Sequence, residues 1–148
     1  MPMSTSGSRQ RWLALDVGNR RIGVAVSDPL RVTARPLTTL ERTPEGAEFQ
    51  ALKVLIEEYG ISRVIVGSPR RLSGDESEQT RRVEAFISRL ATVCPPPIVR
   101  GEERLSSKEA ERVMAEVGVA PADRRRRRDE FAAALILQWY LEESGECD

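Results

Sequence analysis

A chain of 148 residues, 40% hydrophobic and 31% charged, is one domain's worth of globular protein and long enough to bury a core. Its formal net charge is zero, so any polyanion contact must come from local patches. Those patches would be arginine, because Lys53 and Lys108 are the only lysines among 23 cations. The chain has no histidine, which excludes Ser-His-Asp and Cys-His catalysis and His-containing zinc sites and leaves carboxylates, arginines and a metal ion for any chemistry.

Residues 1–10 are small and polar and contain no apolar run of the kind a signal peptide needs; they are expected to form a disordered leader. WLALDVG at 12–18 is a strand-like apolar run holding an aspartate, GN at 18–19 is a turn signal, and RIGVAVSD at 21–28 alternates branched with small residues. Together they predict a β-hairpin. A third strand is expected over 32–40, at a sheet edge because of Pro36. The period then changes. Phe49, Leu52, Leu55, Ile56 and Tyr59 form the stripe of an amphipathic helix that Gly60 ends. ISRVIVGSP at 61–69 suits a buried strand, and the polar loop RRLSGDESEQ follows it. Val83, Phe86, Ile87 and Leu90 mark a second helix, and residues 95–103 return as a short strand. SSKE at 106–109 has the form of a capping box with Ser106 as N-cap, opening a helix that Gly118 stops. Pro121 and the run RRRRR at 124–128 are assigned to a loop before a last helix over 129–143.

The order is β-β-β-α-β-α-β-α-α: an antiparallel meander followed by units that demand parallel pairing. That is an α/β layer architecture with a mixed five-stranded sheet, in a single domain over 11–144 with a tail at 145–148. The longest apolar stretch, 131–141, falls short of the roughly 20 residues of a membrane span. Cys94 and Cys147 are too far apart to form a metal-type pair and fit a reducing cytoplasm.

In open α/β sheets ligands sit off the carboxyl ends of the strands, and three sets of acids fall near such positions. Asp16 lies inside an apolar strand, where a carboxylate is costly unless paired or metal-bound. Glu102 and Glu103 close the last strand; side chains alternate, so only one of them faces the same side as Asp16. Asp129 and Glu130 are expected to open the last helix, where acids also serve the helix dipole. Oxygen ligands converging without histidine suit Mg²⁺ or Mn²⁺, and two such ions about 4 Å apart would serve phosphodiester cleavage.

The segments LDVGNRRIGVAVSD, VIVGSP, EERLSS and RDEFAAALIL resemble, in that order, the motifs of the YqgF/RuvX family. The resemblance runs over roughly 12–143. It implies an RNase H-like fold and a metal-dependent endonuclease, acting either on the 5′ end of pre-16S ribosomal RNA or on Holliday junction DNA. It implies Asp16, Glu103 and Asp129 as the catalytic and metal-holding residues, choosing Glu103 over Glu102 and Asp129 over Glu130. Glu102 stands where the family usually has aspartate, Ser107 replaces the usual threonine, and the 70–76 loop departs from the family's LNMDG-like sequence. Arg20, Arg21, Arg70, Arg71, Arg104, Arg127, Arg128 and Ser68 are the expected phosphate-backbone contacts. A junction-cutting enzyme would further imply a homodimer. Two other readings compete: a non-catalytic nucleic-acid-binding module of the same fold, and a fragment of an actin-like phosphotransferase, whose phosphate-binding hairpin DVGNRRIG resembles.

Overall fold

The computed structural model describes residues 10–69, 78–103 and 106–144. The elements follow the expected order: β1 (Arg11–Val17), β2 (Arg21–Ser27), β3 (Ala34–Glu41), α1 (Ala47–Glu58), β4 (Ile61–Pro69), α2 (Glu78–Ala91), β5 (Ile98–Glu103), α3 (Ser106–Glu116) and α4 (Pro121–Ser144). The sheet order is β3-β2-β1-β4-β5. β1, β2 and β3 pair antiparallel, while β4 runs parallel to β1 and β5 parallel to β4. β3 is an edge strand, as Pro36 implied, and its register with β2 shifts between Val24 and Ala25, where Pro36 sits opposite Ala25.

The alternation of β1 and β2 divides the core between two faces. Leu13, Leu15, Val17, Ile22, Val24 and Val26 pack against Phe49, Leu52 and Ile56 of α1 and Val83, Phe86 and Leu90 of α2. Each fully buried aliphatic of this kind stabilises by about 1.5–3 kcal/mol. On the opposite face, the small side chains Ala14 and Ala25, with Ile65, meet Ala133, Ile136 and Leu137 of α4. A third cluster joins Ala110 and Met114 of α3 to Phe131 and Ala132 of α4. Lying between sheet and α3, the FAAALIL stretch is apolar almost all round.

Two local devices fix the helices. Thr43 Oγ1 accepts from the N–H groups of Gly46 and Ala47 at 3.0 and 2.9 Å, and the buried Glu48 reaches back to accept from the Thr43 N–H at 2.9 Å. Burial alone would raise the Glu48 carboxyl, yet its hydrogen bonds to backbone N–H, Arg42 and Thr43 hold it below its ordinary value. At the end of α3, Gly118 takes a φ of 86°, and the Val119 N–H bonds to the Met114 carbonyl at 2.9 Å, the closure that only a left-handed residue allows. The side chain of Ser106, the expected N-cap of α3, lies outside the described residues.

The largest departure from the expected boundaries is at the start of α4. The arginine run is helix, because α4 begins at Pro121 and extends for 24 residues. Proline suits a first helical turn, and arginine is a good helix former. The ion pairs Asp123–Arg126 and Arg127–Glu130 at i,i+3 support the added turns. Asp129 and Glu130 therefore lie two turns inside the helix and do not open it. Among the described residues no helix is long and apolar enough to cross a membrane.

Candidate active site

The site forms where α4 crosses the C-terminal half of β1. Asp16 has the parity of Trp12 and Ala14, which belong to the α4-facing cluster. Its register partner on β2 is Gly23, and Gly23 in turn pairs with Thr39 on β3. Residues directly opposite in an antiparallel pair share a face. Asp16, Gly23 and Thr39 thus make one row across the sheet beneath α4.

Glycine is required in the middle of that row. A Cβ on residue 23 would lie 1.9 Å from the carbonyl oxygen of Asp129 and 2.2 Å from its carbon. Without a side chain there, the backbone of α4 comes down onto β2 and brings Asp129 beside the strand pair that carries Asp16. Gly101 plays a related part on β5, where a Cβ would meet Ile65 at 2.6 Å and Ile136 of α4 at 3.4 Å.

Successive helical residues are rotated by roughly 100°, and this separates the two acids of α4. Glu130 is buried and turned to the edge strand: Thr39 Oγ1 donates to its Oε1 at 3.1 Å and Arg127 Nε to its Oε2 at 3.0 Å. Asp129 is turned to β2, where Arg21 Nε donates to its Oδ2 at 2.9 Å, with side chains 36% and 23% exposed. The hydrogen bond and charge of Asp129 raise the Arg21 guanidinium above its ordinary value, with Glu41 adding to the effect. Glu41 is the register partner of Arg21 at the end of β3.

The turn after Asp16 is held from behind. The Gly18 N–H bonds to the Arg21 carbonyl at 2.9 Å, and the Arg42 N–H to the Arg20 carbonyl at 2.8 Å. Arg42 Nη1 also reaches the Gly18 carbonyl at 3.1 Å, while its Nε lies 3.4 Å from Glu48. Buried Glu48 therefore anchors, through Arg42, the loop next to Asp16. Sequence reasoning missed this pair; the one signal it offered was Glu48 in the first turn of a helix, five residues after Thr43.

The remaining expected residues are dispersed. Arg20 is exposed on the β1–β2 turn. Arg127 is taken up by Glu130 and stands 5.0 Å over the Phe131 ring. Arg128 pairs with Glu111 of α3 at 3.2 Å. The arginine run is thus fanned around a helix, and it does not form one continuous patch. Ser68 has the parity of Val64 and Val66, on the α1–α2 side of the sheet. Glu102 has the parity of Arg100, which pairs with Glu84 of α2. Position 103 is the last of β5, opposite Pro69 and two residues beyond Gly101. The side chain of Glu103 lies outside the described residues, as do Arg70, Arg71 and Arg104. Among the described residues no group of three or more histidine, cysteine or acidic side chains converges. Asp16 on β1 and the backbone of Asp129 on α4 both neighbour Gly23, and the Asp129 side chain is bonded to Arg21.

A mixed sheet in the order β3-β2-β1-β4-β5, with a long C-terminal helix laid across its first strand, is an RNase H-like fold. The Thermus thermophilus RuvC chain in complex with a Holliday junction superposes with a TM-score of 0.54 at 16% identity, over 92% of this chain and 96% of that one. The fowlpox virus Holliday junction resolvase gives 0.52 at 11% identity, over 90% and 99%. These likenesses establish the fold. Sequence carries the assignment further: the RuvX family model, described as Holliday junction resolvase, matches residues 10–143. A Roseiflexus sp. (strain RS-1) protein named "Putative pre-16S rRNA nuclease" is 42% identical over 132 residues, 89% of this chain and 94% of the relative. A Moorella thermoacetica relative of the same name is 40% identical over 136 residues, 92% and 97%. The chain belongs to the RuvX family of nucleases.

Proposed function

We propose that this nuclease hydrolyses phosphodiester bonds of structured nucleic acid in the cytoplasm with Mg²⁺ or Mn²⁺ held by Asp16, Asp129 and Glu103. The observation that carries the reading is that Asp16 on β1 and Asp129 on α4 both neighbour Gly23 on the α4-facing side of the sheet. The donor set fits a hard cation, since it offers carboxylate oxygens with no imidazole or thiolate. Strand alternation gives position 103 the parity of Gly101, the parity that faces α4. When bound, the metal supplies activation of a water and neutralises charge on the leaving oxygen. The protein's own part is to hold the two described carboxylates at fixed separation, Asp16 by the strand register and Asp129 by the close helix contact.

The exposed Arg20 and the arginines at 70, 71, 104, 127 and 128 are the groups we assign to the phosphate backbone, with Ser68 at the edge of that path. Trp12 and Tyr140 pack edge to face at 5.6 Å, and Arg63 stands 4.5 Å over Trp12. Aromatic rings committed in this way do not serve as base platforms, which supports recognition by backbone and shape. The names of the relatives point to pre-16S rRNA and the family description to Holliday junctions, the latter requiring a homodimer to cut two symmetric strands.

The test sets a pre-16S rRNA 5′ segment beside a four-way DNA junction under Mg²⁺ and Mn²⁺ titration. Asp16→Asn is expected to fold and bind while losing roughly 100-fold or more in cleavage rate. Full cleavage by that variant, or cleavage by the wild type in excess chelator, would defeat the proposal. Sedimentation with and without the junction decides the homodimer.

A further inference from the structure

Arg21 was expected as a phosphate contact, yet its Nε is bonded to Asp129, an acid the proposed reading gives to the metal. The two roles of Asp129 compete for one carboxylate. Magnesium takes near-ideal octahedral oxygen ligands at about 2.0–2.1 Å, and a guanidinium on Oδ2 takes up one acceptor site of the carboxylate and repels a second cation beside it. Repulsion between the two cations favours displacement of one of Asp129's partners, and the packing decides which. The backbone of Asp129 rests on Gly23, the next residue is tied to Thr39, and the following turns are buried on the sheet. Arg21 is a long chain at the start of a strand, more exposed than its partner. It also has somewhere to go, because Glu41 is its register neighbour on β3, exposed and on the same face.

Resting on the metal-site reading above, we infer that Arg21 is the resident counter-cation of Asp129, displaced toward Glu41 when a divalent cation is taken up. It thereby sets how tightly the site binds metal before substrate arrives. Arg21 is in this sense a positioning residue: it holds the carboxylate in place when no metal is bound and competes with the metal for it.

The experiment is calorimetric titration of the full chain with MnCl₂ and with MgCl₂, no nucleic acid present, after circular dichroism has verified folding. Arg21→Gln is expected to bind metal roughly five- to tenfold tighter than the wild type, the range set by a half-exposed charged hydrogen bond. Arg21→Lys should fall between the two. Arg20→Gln removes the same charge from the same turn and is expected to stay within about twofold of the wild type. Equal affinity for wild type and Arg21→Gln, or an equal gain in Arg20→Gln, overturns the inference. Asp129→Asn separates that failure from failure of the underlying reading: if it abolishes metal binding while Arg21→Gln changes nothing, the metal site stands and the displacement falls. If the wild type binds no metal, both fall. Glu41→Gln completes a double-mutant cycle; its loss of metal affinity should be larger with Arg21 present than in Arg21→Gln, and equal losses overturn the route through Glu41.

Discussion

The two faces of one strand pair teach different things. Toward α1 and α2, β1 and β2 present Leu13, Leu15, Val17, Ile22, Val24 and Val26, all at most 2% exposed. Toward α4 the same strands present Ala14, Asp16, Gly23 and Ala25. Large branched chains keep helices at side-chain distance and supply most of the apolar burial. Small ones surrender that burial and let a helix backbone touch the strand. The first face is built for stability; the second gives up stability for position, and the acids are on the second.

Substitutions that trade the properties of the two faces test this contrast. The largest stability loss is expected from Leu15→Ala on the bulky face, about 2–5 kcal/mol in denaturant unfolding, with cleavage per folded molecule little changed. Gly23→Ala should cost less, about 1–3 kcal/mol, yet nearly abolish cleavage, because the added methyl meets the Asp129 carbonyl and lifts α4. If Gly23→Ala stays active at normal stability, the close contact has no functional meaning.

Glu48→Gln ranks next, at about 1–2 kcal/mol near neutral pH, since a buried carboxylate accepting backbone and Arg42 hydrogen bonds is replaced by an amide. The folded-state pKa of Glu48 is depressed, so its contribution is complete above the ordinary glutamate value and is lost as pH falls below it. Unfolding curves of wild type and Glu48→Gln should converge on acidification below about pH 4.5; parallel curves would remove Glu48 from the pH response. The smallest effect, about 0.5–1.5 kcal/mol, is expected for Thr39→Val, which deletes one hydrogen bond to Glu130 and loosens α4 at the edge strand. A fall in activity at unchanged melting temperature would show that this tie positions the helix more than it stabilises it.

Much of this was legible in the sequence because local rules and the global fold agree. Alternation in RIGVAVSD, the stripe from Phe49 to Tyr59, and Pro36 as an edge marker each specify their element. The arginine run misled because repulsive, aperiodic charge reads as loop; the helix there depends on Pro121 at its start and on pairs such as Arg127–Glu130 that a pattern of apolar residues does not register. Choosing between Asp129 and Glu130 needed the azimuth of a helix whose start had been misplaced by eight residues, from 129 to 121. The choice of Asp129 came from family resemblance; in the helix, Asp129 turns to Arg21 of β2 and Glu130 to Thr39 of the edge strand. Gly23 looked like one more small residue in an alternating strand. Its significance lies in a contact with residue 129, a separation that single-sequence reasoning does not reach.

Pro36 has one more consequence. An edge strand offers a row of free amide donors and carbonyls on which another extended chain can dock, the usual start of sheet-to-sheet aggregation. Pro36 has no N–H to offer, and the register shift beside it breaks the even spacing such docking needs. The protein thus carries its own guard against growth of the sheet past β3, and replacing Pro36 with a β-branched residue is the change most apt to make it precipitate.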